Sequence, residues 1–267
     1  MRNSKLHDAK NTLQILRDGQ LHLGDTIIYL QPYIERTHST IYREFKLKNK
    51  EPKQNSCQIT VKEYGSVDVL YDDSLGKGKI AILNFASSKN PGGAWRNGAN
   101  AQEEALCRSS NLGIELERHM DFYESNRKDL NKGLYKDGII YSENIVFFKS
   151  DDSLKIPKVG DVITCAAPNA GVALRKLVIK EDINKVMYKR IEQVLITAIN
   201  HDVDILALGA FGCGVFRNSP EFVAEAMMNL LYTYSKYFDK VVFPLVSRFD
   251  KNYVTFKNVI QRRIKYL

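Results

Sequence analysis

Glu103 and Glu104 are adjacent carboxylates a short way after the turn Pro91-Gly92-Gly93. Glycines let backbone N–H groups approach a ligand closely, and a carboxylic acid nearby can give and take a proton. A nucleotide-sugar site with acid chemistry needs both. Asn90, just before the turn, is suited to hydrogen-bond ribose hydroxyls. Asn100-Ala101-Gln102-Glu103 fits a capping box, with Asn100 as N-cap and Glu103 reaching back from the third helical position. Glu104 then lies about 100° further round the helix. Two carboxylates so placed cannot flank one scissile bond, as those of paired-carboxylate glycosidases do, about 5 Å or more apart. A single general acid is the more natural arrangement, and such an acid needs its pKa raised by partial burial to donate at neutral pH.

A second glycine-bearing loop runs from Gly209 to Asn218, with Gly212, Cys213, Gly214, Val215 and Phe216 inside it. It follows the apolar run Ile205-Leu206-Ala207-Leu208. It precedes a helix announced by Ser219 as N-cap, Pro220 at the first position and Glu221 in the first turn. A glycine-rich loop feeding a helix N-terminus is a diphosphate cradle. The spacing is not the Gly-x-Gly-x-x-Gly dinucleotide fingerprint. Arg217 either aids phosphate binding or points outward.

The elements that must position these loops are read from periodicity. Strands are expected at 80–84, 139–141, 145–148, 162–166, 204–209 and 241–246. Pro244 inside the last argues for an edge position or a bulge. One helix face carries Ile183, Met187, Ile191, Val194, Leu195 and Ala198; another carries Phe222, Val223, Ala226, Met227, Leu230, Leu231 and Tyr234. A last helix is expected near 252–265. Alternating strands and helices predict a three-layer α/β/α sandwich around a mixed sheet. Residues 1–79 read as an extension packed on the 80–267 core. They hold a helix over 4–18 stopped by Gly19, a strand tendency over 20–34 and a lysine-rich loop over 46–58.

Lys and Arg number 39 against 31 Asp and Glu, and this net charge of +8 favours polyanionic partners. No basic-aromatic motif or zinc finger points further to nucleic acid. No run is apolar enough to span a membrane and no secretory signal opens the chain. Cys57, Cys107, Cys165 and Cys213 are scattered without a Cys-x-x-Cys pair, and the five histidines are dispersed. That argues against a zinc site and a disulfide framework, and fits a reducing, cytoplasmic compartment. Cys107 and Cys213 have no sequence-neighbouring histidine and read as packing residues. Trp95 is placed to cover the glycine turn. Tyr123 reads equally as core or as ligand contact.

Residues 84–110 resemble the signature of the microbial-type poly(ADP-ribose) glycohydrolases, a macrodomain-related family. The matching residues are Asn84-Phe85-Ala86, Pro91-Gly92-Gly93 and Gln102-Glu103-Glu104. The similarity continues through Cys107-Arg108-Ser109-Ser110, Ile163-Thr164, Ala167-Pro168-Asn169 and the 209–216 loop. Ala94 stands where the family carries a third glycine. Were its φ positive, alanine there would cost roughly 1 kcal/mol. The resemblance implies a macrodomain-like fold with an N-terminal helical extension, and hydrolysis of ribose–ribose bonds without metal or cofactor. It makes Glu104 the acid and gives Glu103 an orienting role. It places Asn90, Gly92, Gly93, Gln102, Gly209, Gly212, Cys213, Gly214, Val215 and Phe216 against the substrate, with Phe216 near the distal ribose. Ala94 and an aromatic such as Phe249, stacked on adenine, join them more loosely. The implied partners are ADP-ribose, its polymer and ADP-ribosylated protein. A non-catalytic ADP-ribose reader, or a hydrolase of mono-ADP-ribosyl adducts or O-acetyl-ADP-ribose, are the alternatives. The intact Gln102-Glu103-Glu104 favours an enzyme, because a reader has no use for the acid.

Overall fold

The structure, a computed structural model, describes residues 2–128 and 131–266. The chain opens with α1 (Arg2–Asp18), a hairpin of β1 (Gln20–Leu23) and β2 (Thr26–Tyr29), the short α2 (Gln31–Ile34), β3 (His38–Tyr42) and β4 (Gln58–Lys62). A 3-10 segment, Ser66–Tyr71, leads toward β5 (Ile80–Phe85), and α3 (Gln102–Ser109), α4 (Leu112–Glu117) and α5 (Met120–Arg127) come next. β6 (Ile139–Ser150) and β7 (Ser153–Cys165) form a long hairpin. Then follow α6 (Ala170–Arg175), α7 (Lys180–Asn200), β8 (Ile205–Ala207), α8 (Pro220–Tyr234), β9 (Lys240–Pro244) and α9 (Lys251–Arg263).

Seven strands make one mixed sheet in the order β3-β6-β7-β5-β8-β9-β4. β3, β6 and β7 pair antiparallel; β7, β5, β8, β9 and β4 pair parallel. Alternation along the strands sends successive side chains into two layers. Ala81 and Leu83 of β5 pack with α7, α8 and α9, whereas Ile82 packs with Ala9 of α1 and Leu106 of α3. The result is the three-layer α/β/α sandwich that the periodicity predicts. The apolar faces of α7 and α8 are buried as read, with Phe222 and Tyr234 packed at the margin.

Four details differ from the sequence reading. The stretch 20–34 is not one strand but the hairpin β1–β2 followed by α2, because Gly24 turns the chain in the left-handed region at φ +56°. The expected strands at 139–141 and 145–148 are one strand, broken in register between Ser142 and Ile145. Both sheet edges, β3 and β4, come from residues before 80, so that boundary cuts through the sheet. β9 is internal, lying between β8 and β4. Pro244 is tolerated as its terminal residue, past the end of β8 pairing at Ala207 and Val242.

The topology fixes where a ligand can bind. The connection from β5 runs through α3–α5 on one face, and that from β7 to β8 runs through α7 on the other. β5 and β8 are parallel neighbours, so the loops after them leave from the same end of the sheet. Crevices at the carboxyl ends of strands, where connections diverge to opposite faces, are the usual ligand sites of open α/β sheets.

Candidate active site

Loop 86–99 folds back over the first turn of α3. Gly92 and Gly93 are both left-handed, at φ +68° and +63°. A methyl group on Gly93 would lie 2.4 Å from Glu104 Oε1 and 3.1 Å from Glu103 Oε2, so both carboxylates converge on this one Cα. A methyl on Gly92 would lie 2.6 Å from Trp95 Cδ1 and 2.9 Å from Cys107 Sγ. Trp95 therefore does not cover the turn. It is buried behind it, 1% exposed, also against Gly113. Ala94 has φ −119°, outside the left-handed region that favours glycine, so the missing third glycine brings no positive-φ strain.

The two glutamates are held differently. Glu104 Oε1 accepts the Ala94 N–H at 3.1 Å and Oε2 accepts the Ala101 N–H at 3.2 Å. The residue reaching back to cap α3 is thus Glu104, with Ala101 as N-cap, and not Glu103 with Asn100. The Asn100 side chain is taken by Arg108, whose Nη2 donates to Asn100 Oδ1 at 3.0 Å and whose Nη1 donates to Ala99 O at 2.5 Å. Glu103 lies deeper. Its Oε2 accepts the Ser87 N–H at 2.7 Å and its Oε1 faces Asn84 Nδ2 at 3.4 Å. Glu104 is 8% exposed and Glu103 3%, so Glu104 is the better placed to meet a ligand.

Burial pushes Glu103 well above the usual carboxylate range; the Ser87 N–H opposes this and the neighbouring Glu104 charge adds to it. Such a carboxyl stabilises the fold fully below its unfolded pKa and loses that contribution as pH rises through the folded value. Glu103→Gln removes the titration, and its new amide can donate to Asn84 Oδ1, which is buried without a hydrogen-bond partner. The Tm of Glu103→Gln relative to wild type should therefore climb as pH rises from about 4 to neutral. Thermal melts showing a pH-independent difference would contradict this.

Loop 209–218 is locked from beneath. Asn218 Nδ2 donates to Pro168 O at 2.8 Å and Gly212 O at 2.9 Å. Gly212, at φ +71°, would put a methyl group 2.5 Å from Ala167 Cβ. Gly209, at φ +130°, lies against the Phe85 ring, which in turn is 5.9 Å from the Phe211 ring. Gly214, Val215 and Arg217 are exposed, Phe216 is half-buried, and Ser219 caps α8 with Pro220 at its start, as the sequence predicts. Cys213 is half-buried with its thiol pushed up to about 12 by burial, and burial pushes Cys107 well above the ordinary thiol range. Neither is a poised nucleophile.

Other expected ligand contacts are redistributed. Gln102 is spent on the protein: its Oε1 accepts the Phe85 N–H at 2.9 Å, and its Nε2 donates to Leu83 O at 2.8 Å and Ser66 Oγ at 3.1 Å. It pins the start of α3 to the end of β5. Asn90 is exposed, with Oδ1 accepting from Arg127 Nη2 at 3.1 Å. Tyr123 is fully buried in the core. Phe249 is 87% exposed with Arg248 above its ring. Beside the loops on the β9 side lies a groove of about 620 Å³, walled by Ser66, Phe85, Gln102, Ala210, Pro244 and Tyr253. The sequence reading missed this groove, because Ser66 and Tyr253 are distant in the chain and carry no motif. Among the described residues, no group of three or more His, Cys, Asp or Glu side chains is placed to hold a metal ion.

A mixed-sheet α/β/α sandwich with an acid pair against one glycine loop, and a second glycine loop leaving the same end of the sheet, is the architecture of a macrodomain-like glycoside hydrolase. The family profile of the microbial-type PARG catalytic domain, PARG being poly(ADP-ribose) glycohydrolase, matches residues 9–150. The chain belongs to this family. The crystal structure of poly(ADP-ribose) glycohydrolase from Thermomonospora curvata is similar over 97% of this chain and 100% of its own, with 30% identity and TM-score 0.88. The same enzyme bound to the inhibitor ADP-HPD is similar at 30% identity and TM-score 0.83, covering 96% of this chain and 99% of its own. The enzyme from Deinococcus radiodurans in complex with ADP-ribose is similar at 28% identity and TM-score 0.75, covering 91% of this chain and 99% of its own. The comparison with curated proteins returned no match.

Proposed function

We propose that this protein hydrolyses the ribose–ribose O-glycosidic bonds of poly(ADP-ribose), releasing ADP-ribose, with Glu104 as the acid and base. The observation that carries this is the convergence of both carboxylates on Gly93, beside two glycine loops at the carboxyl edge of the sheet. The acid step needs one carboxyl of the pair in its protonated form. Glu104 gives its proton to the leaving ribose oxygen as the glycosidic C–O bond breaks. The oxocarbenium-like ribose that forms is stabilised by the neighbouring diphosphate. Glu104, now a carboxylate, takes a proton from water as the water oxygen bonds to the anomeric carbon. The proton returned to Glu104 restores the starting state. Glu103, on Ser87 N–H and Asn84, orients the sugar and holds the first turn of α3 in place.

In this reading Gly92 and Gly93 bring backbone to the ribose, and residues 209–216 wrap the diphosphate. The half-buried Phe216 and exposed Val215 face the distal sugar. Asn90 is a ribose contact after it exchanges Arg127 for ligand. No described helix is long and apolar enough to cross a membrane. The four cysteines are free thiols, two of them buried, which supports a reducing cytoplasmic setting. Polymer and ADP-ribosylated protein are the partners that the chemistry and the excess of positive charge call for.

Binding is tested by heat. ADP-ribose should raise the Tm of wild type by preferential binding to the folded state. Gly212→Glu adds bulk where a methyl already meets Ala167 and sets a negative charge in the diphosphate loop. Its ADP-ribose shift should vanish. Equal shifts for wild type and variant would reject the diphosphate assignment.

A further inference from the structure

Residues 131–138 join α5 to β6 along the same edge of the sheet as the two glycine loops. Ile139 at the start of β6 pairs with Cys165 at the end of β7, which fixes that placement. This connection meets both loops. Where it leaves α5, Arg127 Nη2 donates to Asn90 Oδ1 at 3.1 Å. Further on, the Tyr135 ring lies 6.1 Å from the Phe216 ring.

Tyr135 is held in an unusual conformation. Its φ is +62°, a left-handed backbone rare for a bulky L residue. Arg190, 1% exposed, locks the turn from behind. Its Nη2 donates to Leu134 O at 3.1 Å and Tyr135 O at 3.0 Å, its Nη1 to Ala166 O, and its Nε to Asp137 Oδ1 at 2.8 Å. A buried guanidinium is costly to desolvate, and a strained residue persists only where its surroundings over-determine it. Here both are spent on presenting one half-buried aromatic ring beside a ligand loop.

Orientation follows from the strand order. The groove of about 620 Å³ reaches the β9 side, where Phe85, Pro244 and Tyr253 wall it together with the polar Asp250 and Asn252, and it has the size and mixed lining for a nucleoside. Tyr135 stands on the opposite side, by β6 and β7. A ligand laid along this edge with its adenosine in the groove brings its other end to Tyr135 and Phe216. Resting on the functional reading above, we propose that Tyr135 is a specificity-determining residue. Its ring pairs with that of Phe216 to wall the ribose at the reacting end of an ADP-ribosyl ligand.

Calorimetric titration with ADP-ribose and with ADP, which lacks the second ribose, isolates this contact. Tyr135→Gly keeps the left-handed turn, which glycine adopts freely, and deletes the ring. Loss of an aromatic contact should weaken ADP-ribose binding by about fivefold or more while ADP binding stays within about twofold. Tyr135→Phe, which keeps the ring, should hold wild-type affinity for ADP-ribose. An unchanged ADP-ribose affinity in Tyr135→Gly, or an equal loss for both ligands, overturns the assignment while leaving the functional reading intact. A wild-type protein that binds neither nucleotide overturns that reading and this assignment with it.

Discussion

Glu104→Gln should lose polymer hydrolysis by roughly 10² or more, the scale of losing a general acid, while ADP-ribose affinity changes by no more than a few-fold. The amide keeps the shape of the side chain. Its oxygen can still accept one of the two backbone N–H groups that hold Glu104, from Ala94 and Ala101. What it cannot do is cycle a proton between the leaving ribose and water. The effect should therefore fall on kcat rather than on binding. Glu103→Gln should lose less, because a hydrogen bond from the Ser87 N–H survives to an amide oxygen and the group lies deeper than Glu104. Steady-state hydrolysis beside ADP-ribose titration separates the two. A fully active Glu104→Gln would remove the acid role from this residue.

The second large effect is expected from a single methyl group. Gly93→Ala places a Cβ 2.4 Å from Glu104 Oε1, closer than such contacts allow, so the acid must move. The left-handed backbone, φ +63°, adds roughly 1 kcal/mol for any L side chain. Displacing a reacting group by about 1 Å can cost on the order of 10² in rate. Turnover should drop on that scale, whereas Tm falls by only a few degrees, since about 1 kcal/mol is a small part of the stability of a domain this size. Ala94→Gly is the control. Ala94 sits at φ −119° and needs no glycine, so restoring the family's third glycine should leave turnover near wild type. Wild-type activity in Gly93→Ala would mean that the carboxylates are not set by this turn.

Much of this site was legible in the chain. The Pro91-Gly92-Gly93 turn, the 209–216 loop and the Ser219-Pro220 helix start all rest on local chemistry, and each lies where its residues predict. The apolar faces of α7 and α8 were readable for the same reason. What was not legible depends on contacts far apart in sequence. The sequence pattern predicts a strand over 145–148, yet β6 runs on to Ser150. Lys149 is 1% exposed there, because α1 supplies Asp8 Oδ1 at 2.6 Å and Thr12 Oγ1 at 2.7 Å to its ammonium group. The edge strands β3 and β4 are short and mostly half-exposed, so they carry no continuous apolar run. The capping box read correctly as a motif and wrongly in register. Nothing local announces that Arg108 claims the Asn100 side chain. Gln102 reads as a ligand contact from the motif, whereas its three hydrogen bonds to Phe85, Leu83 and Ser66 become visible only in the fold. Tyr135 had no signal at all, because its significance rests on Arg190 and Phe216 meeting it from other elements.

This protein should cleave polymer rather than merely hold ADP-ribose. The most direct measurement is release of free ADP-ribose from an acceptor protein carrying poly(ADP-ribose), run beside the same acceptor carrying single ADP-ribose units. Wild type should release ADP-ribose from the polymer, and Glu104→Gln should suppress that release. A wild-type protein that binds ADP-ribose, yet releases nothing from polymer, would contradict it and identify a reader; release confined to the single-unit acceptor would contradict it and identify a mono-ADP-ribosyl hydrolase.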